Sequence, residues 1–294
     1  RVLFRSGHPV KTFGTHEQKL KFLAPVASGQ VEGCYGLTEA GAGSDAAAMR
    51  CKAELKGDKY IVNGTKVFIT NGPVARYCVL AATTDLSKGY KGVINLIVDL
   101  KETPGFKVGK IEEKLGILAS GTSELVFEDA EIPAANLLGK PGQGFQQMMA
   151  GLNAGRIGIG AQACGIGRAC LDDALAYAKE RIQFGKPIST NQAIQFKLAD
   201  MATELDAAEL LLLRAAWLED NGLDFEKESA MSKYFASDVA MRASIECVQI
   251  FGGYGYIKEY PAERHMRDAK ICQIYEGTNE IQRVVVSRKL LGAR

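Results

Sequence analysis

The residue pattern along the chain changes once, near residue 139, from one typical of strands to one typical of helices. This change constrains the fold more than any other feature. Residues 33–138 hold short runs rich in Val, Ile, Phe and Tyr, separated by turn signals. Many short strands at this spacing are typical of a β-barrel or sandwich. After the Gly-Lys-Pro-Gly stretch at 139–142 the pattern is helical. The sequence therefore predicts a multi-domain α and β protein, with a β-barrel domain at 33–138 and a helical domain at 139–294.

The predicted strands are short runs of β-branched and aromatic residues at 59–62, 66–69, 77–82, 93–98 and 124–127. The pair Asn63-Gly64 predicts a turn between the first two runs. Ahead of them, residues 16–23 have the pattern of the end of a helix.

Four helices are predicted in the second part, packed as a bundle. Apolar residues recur in alternating steps of 4 and 3 from Ile194 to Ala215, the seam of a packed helix. This helix ends at Asn221-Gly222, and Asp224 is a suitable N-cap for the next. The others are a Gly-rich first helix at 145–181, a third helix to about 251, stopped by a Gly pair, and a fourth from about 277.

The composition excludes several classes of function. Thirty-six basic against 34 acidic side chains give a net charge of +2, so no electrostatic signal points to nucleic acid or an anionic membrane. No apolar run approaches the ~18 residues of a membrane span. The seven cysteines form no CxxC pair and indicate a reducing compartment. The three histidines are widely separated and predict no metal site.

One carboxylate stands out as a candidate general base. Glu276 is followed by Gly277 and Thr278, where the backbone can bend and approach a ligand closely. Ile274 and Tyr275 precede it, and a carboxylate held against apolar walls is suited to proton abstraction. On this segment alone, a surface Glu near a helix start is the favoured interpretation.

Seven motifs along the chain carry a family resemblance. They are CYGLTEAGAGSD (34–45), FITN (68–71), GRIGI (155–159), ERIQFG (180–185), QIFGGYGY (249–256), YPAERHMRDAK (260–270) and QIYEGTNEIQ (273–282). In order and spacing they resemble the acyl-CoA dehydrogenases, most closely the short-chain or butyryl-CoA members, over roughly residues 7–291. The resemblance implies a β-barrel middle domain followed by a C-terminal four-helix bundle. It also implies that residues 1–32 are the remnant of an N-terminal helical domain and that RVLFRS (1–6) is a candidate foreign segment.

The resemblance implies that FAD is bound by several of these motifs. Residues along the flavin ring would be Tyr35, Leu37, Thr38, Gly43, Ser44, Phe68, Ile69 and Thr70. Most members have Trp at the position of Phe68, and some butyryl-CoA dehydrogenase-like members carry Phe. Residues holding the pyrophosphate and adenine across a subunit interface would be Arg181, Phe184, Gln192, Gln249, Ile250, Phe251, Gly252 and Gly253, with Thr278, Asn279 and Glu280 completing the site. Without the resemblance, these segments indicate a tight turn, a core strand and helix ends.

The resemblance also assigns the acyl-CoA contacts and the base. Substrate-binding residues would be Ser44, Asn153, Arg156, Tyr275 and Gly277. Short-chain members often have Asp at the position of Asn153. Some relatives carry the base just before Arg156, where this chain has Gly155, which cannot transfer a proton. Glu276 is therefore the expected catalytic residue.

The expected reaction is FAD-dependent α,β-dehydrogenation of a short-chain acyl-CoA to a trans-2-enoyl-CoA. Glu276 would remove the α-proton, a hydride would pass to flavin N5, and the electrons would pass to an electron-transfer flavoprotein. The resemblance further implies a homo-oligomer, a dimer of dimers, in the bacterial cytoplasm or the mitochondrial matrix. Two alternatives remain, an acyl-CoA oxidase and a non-catalytic flavin- or CoA-binding scaffold.

Overall fold

The computed structural model of the chain describes residues 7–292, so the RVLFRS segment lies outside the described residues. The described chain divides into two compact units. Unit 1 extends to Leu152, apart from the segment Leu115–Ile117, and unit 2 contains that segment and the chain from Asn153 onward.

Unit 1 is built on one seven-stranded mixed sheet. Its strands are β1 (Gly33–Gly36), β2 (Lys52–Lys56), β3 (Lys59–Thr70), β4 (Tyr77–Thr83), β5 (Val93–Asp99), β6 (Phe106–Ile111) and β7 (Thr122–Pro133). The order is β1-β4-β2-β3-β7-β6, and β5 also pairs with β4. β1 and β2 pair with β4 in parallel, whereas the other pairs are antiparallel. The predicted barrel domain takes the form of a half-barrel sheet.

The turn predicted at Asn63-Gly64 is wrong, because β3 continues through it. The strand pairs with β7 on both sides of Gly64, with a shift of register between Val62 and Gly64. Gly64 has φ +151°, and a Cβ there would lie 2.7 Å from the Cα of Cys51. This glycine therefore permits a close approach inside a bulged strand and does not form a hairpin turn.

Replacing Gly64 with Ala is expected to lower the free energy of unfolding by about 2–4 kcal/mol, because the new methyl overlaps the backbone of Cys51. Gly57→Ala is the matched control. Gly57 also has a positive φ, +62°, but has no neighbouring atom within 4 Å of its added Cβ among the described residues, so about 1–2 kcal/mol is expected. Denaturant unfolding measures both. Equal losses would contradict crowding at Cys51 as the cause.

Helical segments at the start of the described chain pack on the sheet within unit 1. They are α1 (His8–Phe13), α2 (His16–Gln18), a π-helical turn (Lys19–Leu23) and α3 (Ala24–Ala27). Residues 16–23 are helical as predicted, but they begin a helical run rather than end one, because Thr15 caps it and it continues to Ala27. Phe22 packs edge-on against Tyr77 of β4, with ring centroids 5.2 Å apart.

The helices of the second half are α4 (Gly144–Glu180), α5 (Gln192–Asp220), α6 (Glu226–Phe251), α7 (Ala262–Cys272) and α8 (Asn279–Leu291). A hairpin of β8 (Ile182–Gln183) and β9 (Lys186–Pro187) joins α4 to α5. The helices predicted at 145–181, around 194–215 and to about 251 are confirmed. The N-cap of α6 is Phe225 and not the predicted Asp224, although the Asp224 carboxylate accepts a hydrogen bond from the backbone N–H of Glu226 (3.2 Å) in the first turn.

A fifth helix, α7, was missed by the sequence prediction of four. It buries Ala262, Ala269 and Cys272 and exposes charged side chains, so its apolar face is short and its sequence is mostly polar. α8 begins at Asn279 with Thr278 as N-cap, two residues after the predicted start. Within the described residues, no helix combines the length and apolarity needed to cross a membrane.

The first turns of α4 belong to unit 1 because they complete its core. Met148 packs in a buried cluster with Ala42 and Met49. The side-chain amide of Asn95 donates to the carbonyl of Gly144 (2.9 Å) and to Oε1 of Gln147 (2.9 Å). Unit 2 has its own core, in which small residues let the helices pack closely and Tyr177 stacks on Phe251 at 4.1 Å.

Candidate active site

Glu276 lies in a tight turn between α7 and α8. Its backbone has φ +56°, and that of Gly277 has φ +86°. A left-handed conformation is uncommon for a residue with a side chain and persists only where surrounding contacts enforce it. Thr278 then starts α8, its Oγ1 accepting a hydrogen bond from the N–H of Ile281 (3.4 Å). The turn therefore fixes the direction in which the carboxylate projects.

The carboxylate of Glu276 lies against the backbone of α4. A Cβ added to Gly155 would be 3.0 Å from Oε2 of Glu276 and 3.1 Å from its Cδ. Glycine at position 155 thus leaves the space that the carboxylate fills. The two positions considered for the base therefore point into the same volume.

Arg156, next along α4, is buried and 4% exposed. Its Nη1 donates to Oδ1 of Asn153 (2.7 Å). Burial lowers the pKa of Arg156, while the carboxylates of Glu226 and Glu276 act in the opposite direction. Its Nε is buried and has no hydrogen-bond partner among residues 7–292. The structure thus brings Asn153 and Glu276, two predicted site residues, close to the buried guanidinium of a third, Arg156.

Two buried polar residues that the sequence analysis missed hold the turn. Nζ of Lys233, on α6, donates to the carbonyl of Gly277 (2.8 Å) and to Oδ1 of Asn279 (2.9 Å). Nε2 of Gln282 donates to the carbonyls of Glu276 (3.1 Å) and Gly277 (2.9 Å). Both side chains are fully buried. The available signal was a lysine in the run SAMSKYFAS (229–237), which consists mostly of small residues.

Asn279 and Tyr275 make internal hydrogen bonds. The amide nitrogen of Asn279 donates to Oδ1 of Asp238 (2.7 Å) and to the hydroxyl of Ser237 (2.9 Å), and the residue is 2% exposed. The Tyr275 hydroxyl donates to Oε1 of Gln162 (2.7 Å). The Asn279 side chain is therefore committed to the interior of unit 2, and its predicted cofactor role stays a prediction.

In unit 1, a buried ion pair anchors the loop predicted to lie along a flavin. Nζ of Lys66 donates to Oε1 of Glu39 (2.6 Å) and to the carbonyl of Leu37 (3.0 Å). The backbone N–H groups of Arg50 and Cys51 also donate to the Glu39 carboxylate. Burial alone would raise the pKa of Glu39, but Lys66 and these donors outweigh it and lower the pKa. Beyond Glu39, Gly43 and Ser44 are exposed.

The segment 68–70 presents an aromatic face at a bulge of β3. Phe68 has φ +58° and its side chain is 64% exposed, while Thr70 is half-buried. Ile69 points into the sheet core and is 3% exposed, so its contribution to a ligand would come from the backbone. An exposed ring held in a strained conformation fits a planar aromatic cofactor. Tyr35, on β1, is half-buried.

The residues predicted at the cofactor pyrophosphate and adenine lie at helix ends in unit 2. Arg181 stacks over the ring of Tyr254 at 5.2 Å, and Phe184, with φ +52°, is completely exposed on the β8–β9 hairpin. Gln192, Gln249, Gly252 and Gly253 are exposed. Ile250 and Phe251 are buried in the helical core. A guanidinium beside exposed backbone fits a diphosphate.

Glu280, the remaining predicted cofactor residue, is exposed at the start of α8. Hydrogen bonds from its own backbone N–H and from the side chain of Thr278 lower the pKa of Glu280. In the part of the chain that the structure describes, no three His, Cys, Asp or Glu side chains form a group able to hold a metal ion.

The described chain thus joins, in sequence, a half-barrel sheet domain to a helical domain that carries a carboxylate on a strained turn. Two family models match in the same order. The acyl-CoA dehydrogenase middle domain matches residues 34–130, and the acyl-CoA dehydrogenase C-terminal domain matches residues 142–291.

Individual relatives agree with these models. An acyl-CoA dehydrogenase of Bacillus subtilis is 54% identical over 97% of this chain and 75% of its own length. The structure of butyryl-CoA dehydrogenase from Megasphaera elsdenii is similar with a TM-score of 0.96 and 49% identity, over 99% of this chain and 77% of that one. A chain in a structure described as electron transferring flavoprotein of Acidaminococcus fermentans has a TM-score of 0.97 and 53% identity, over 99% and 76%. The chain belongs to the acyl-CoA dehydrogenase family.

Proposed function

We propose that this protein catalyses the FAD-dependent α,β-dehydrogenation of a short-chain acyl-CoA thioester, with Glu276 as the base. The observation that carries the proposal is the carboxylate of Glu276 resting on Gly155, beside the buried Arg156. The butyryl-CoA dehydrogenase among its relatives supports a short acyl chain.

The protein's own part in the reaction is positioning and proton transfer. A thioester α-hydrogen is weakly acidic, so the base must be aligned and charge developing on the thioester oxygen must be stabilised. Glu276 takes the α-proton, and its backbone N–H is the proposed donor to that oxygen. Arg156 and Asn153 orient the acyl-CoA. FAD, when bound, supplies the acceptor for the β-hydrogen.

The proposed FAD contacts follow from the features of each unit. In unit 1 they are Tyr35, Leu37, Thr38, Gly43, Ser44 and the segment 68–70, and Ser44 also contacts the substrate. In unit 2 they are Arg181, Phe184, Gln192, the segment 249–253 and the segment 278–280. The exposed ring of Phe68 and the exposed, left-handed Phe184 support these assignments.

Electron-transfer flavoprotein is the proposed electron acceptor, supported by the similarity to the Acidaminococcus fermentans chain. A dimer of dimers is the proposed assembly, and large exposed side chains such as Phe184, Phe196 and Trp217 support association. All seven cysteines are buried thiols, which supports a reducing compartment, the bacterial cytoplasm or the mitochondrial matrix.

Anaerobic mixing of the FAD-loaded protein with acyl-CoA thioesters tests the function. Butyryl-CoA is expected to bleach the flavin band and to give trans-2-butenoyl-CoA, faster than octanoyl-CoA or a branched thioester does. Absence of bleaching with every thioester would contradict the proposal and leave the scaffold alternative. Rapid reoxidation by oxygen rather than by electron-transfer flavoprotein would favour an oxidase.

Arg181→Ala is expected to weaken FAD retention by about 1.5–3 kcal/mol, because a charge-assisted contact to phosphate is lost, and to loosen the oligomer. Flavin content and sedimentation measure the two effects. Arg168→Ala is the matched control, an Arg on α4 paired with Asp206 and Glu209. If Arg181→Ala matches this control in both measurements, the proposed shared cofactor site is wrong.

A further inference from the structure

Lys233 is a buried cation that the reaction described above does not use. It lies on α6 with no exposed surface, among small residues that include Ala230, Ser232 and Ala236. Placing an ammonium group in a protein interior is costly unless its protons are hydrogen-bonded. An apolar side chain of the same length would fill this volume without the free-energy cost of burying a charge, so packing does not explain the lysine.

The ammonium group of Lys233 bonds to the turn that carries the base. Its partners are the carbonyl of Gly277 (2.8 Å) and Oδ1 of Asn279 (2.9 Å), which lie one and three positions after Glu276. The same carbonyl of Gly277 accepts from Nε2 of Gln282 (2.9 Å). Two buried donors thus converge on the carbonyl of Gly277, the residue after Glu276.

This convergence counteracts backbone strain. Glu276 has φ +56° and Gly277 has φ +86°, and a left-handed glutamate is less stable than an extended one. Without buried donors for its carbonyls, the turn would relax and the carboxylate would move away from Gly155. A displacement of about 1 Å can reduce a catalysed rate by 10²-fold.

The charged groups near Lys233 include the side chain of Glu276. Burial lowers the pKa of Lys233 to about 8, while Cys272, Glu276 and Asp238 act to raise it and Arg156 to lower it. The Glu276 carboxylate is therefore close enough to interact electrostatically with the ammonium group, although that group donates its hydrogen bonds to the Gly277 carbonyl and to Asn279.

We propose that Lys233 is a positioning residue for the dehydrogenation, which holds the Glu276–Gly277 turn through the carbonyl of Gly277. The proposal rests on the proposed function of Glu276. It assigns Lys233 no contact with substrate or flavin.

A pair of substitutions separates this role from packing. Lys233→Met keeps length but removes the donor, whereas Lys233→Gln keeps an N–H donor on a shorter chain. The limiting rate of flavin reduction by saturating butyryl-CoA, per bound FAD, is expected to fall about 10- to 100-fold in Lys233→Met and less in Lys233→Gln. The dissociation constant of butyryl-CoA is expected to stay within about twofold. If Lys233 had only a packing role, Lys233→Gln would have the lower limiting rate, because it buries an unpaired amide. A higher limiting rate in Lys233→Met than in Lys233→Gln, or equal rates, would therefore overturn the proposal.

Hydrogen exchange of the peptide 273–282 provides a readout that does not depend on activity. Exchange is expected to be at least about tenfold faster in Lys233→Met than in the wild type, since the turn opens more often. Lys197→Met is the control, because Lys197 is partly exposed and pairs with Glu246. Unchanged exchange would overturn the proposal. If the wild-type flavin is not reduced by butyryl-CoA but exchange responds as expected, the proposed function fails and the role of Lys233 in the turn stands.

Gln282→Leu gives a second test if the Lys233 variants do not fold. It removes the other donor to the Gly277 carbonyl and removes no charge. About a tenfold lower limiting rate with unchanged butyryl-CoA binding is expected. An unchanged limiting rate in this variant would overturn the idea that these buried donors position the base.

Discussion

Glu276→Gln is expected to retain FAD, while its rate of flavin reduction by butyryl-CoA falls at least about 10²–10⁴-fold, the usual contribution of a general base. The substitution keeps the size of the side chain, so the space over Gly155 stays filled. The amide cannot accept the α-proton. Gly155 has no side chain and offers no replacement base.

Stopped-flow absorbance of the flavin under anaerobic conditions measures this loss. Glu204→Gln is the matched control, because Glu204 is an exposed carboxylate on α5 that pairs with Arg242 at 2.9 Å. Such a surface pair contributes little, about 0–1 kcal/mol, so reduction at the wild-type rate is expected. Wild-type bleaching in Glu276→Gln would remove the assignment of the base.

Gly155→Glu is expected to reduce the same rate at least about 10²-fold even though it adds a second potential base. Its Cβ alone would lie 3.0 Å from Oε2 of Glu276, so the two side chains cannot both occupy the volume. Two carboxylates forced together also repel, and one of them is driven to bind a proton. Displacement of Glu276 from its turn costs alignment as well.

The double variant Glu276→Gly with Gly155→Glu tests the geometric part of this explanation. It returns a single carboxylate to the shared volume, so flavin reduction is expected to exceed that of either single variant. A left-handed glycine at 276 also relieves the backbone strain there. If the double variant is no faster than Glu276→Gly alone, position 155 does not project into the catalytic volume.

Much of the fold could be predicted from local sequence. Helix α5 follows from its apolar spacing, and α6 ends where Gly252, with φ +62°, stops it. These signals are local, since hydrogen bonds and caps of a helix are made within a few residues. The strand β3 was misread because Asn63-Gly64 is also a local turn signal, whereas pairing with β7 and contact with Cys51 come from distant parts of the chain.

The candidate site divides in the same way. The sequence by itself predicted which carboxylate is the base, since Glu276 lies in a motif of the family and Gly155 has no side chain to replace it. It did not determine that Gly155 lies under that carboxylate, or that Ile69, Ile250 and Phe251 point into hydrophobic cores.

Only the tertiary structure showed that Lys233 and Gln282 support the turn. In sequence, Lys233 is 44 positions from Gly277 and resembles any charged helix residue. Burial is a property of the packed helices, and it converts an ordinary lysine into a hydrogen-bond donor whose pKa is lowered to about 8. The identity of the predicted base can be inferred from the local sequence. Its alignment depends on contacts between residues that only folding brings together.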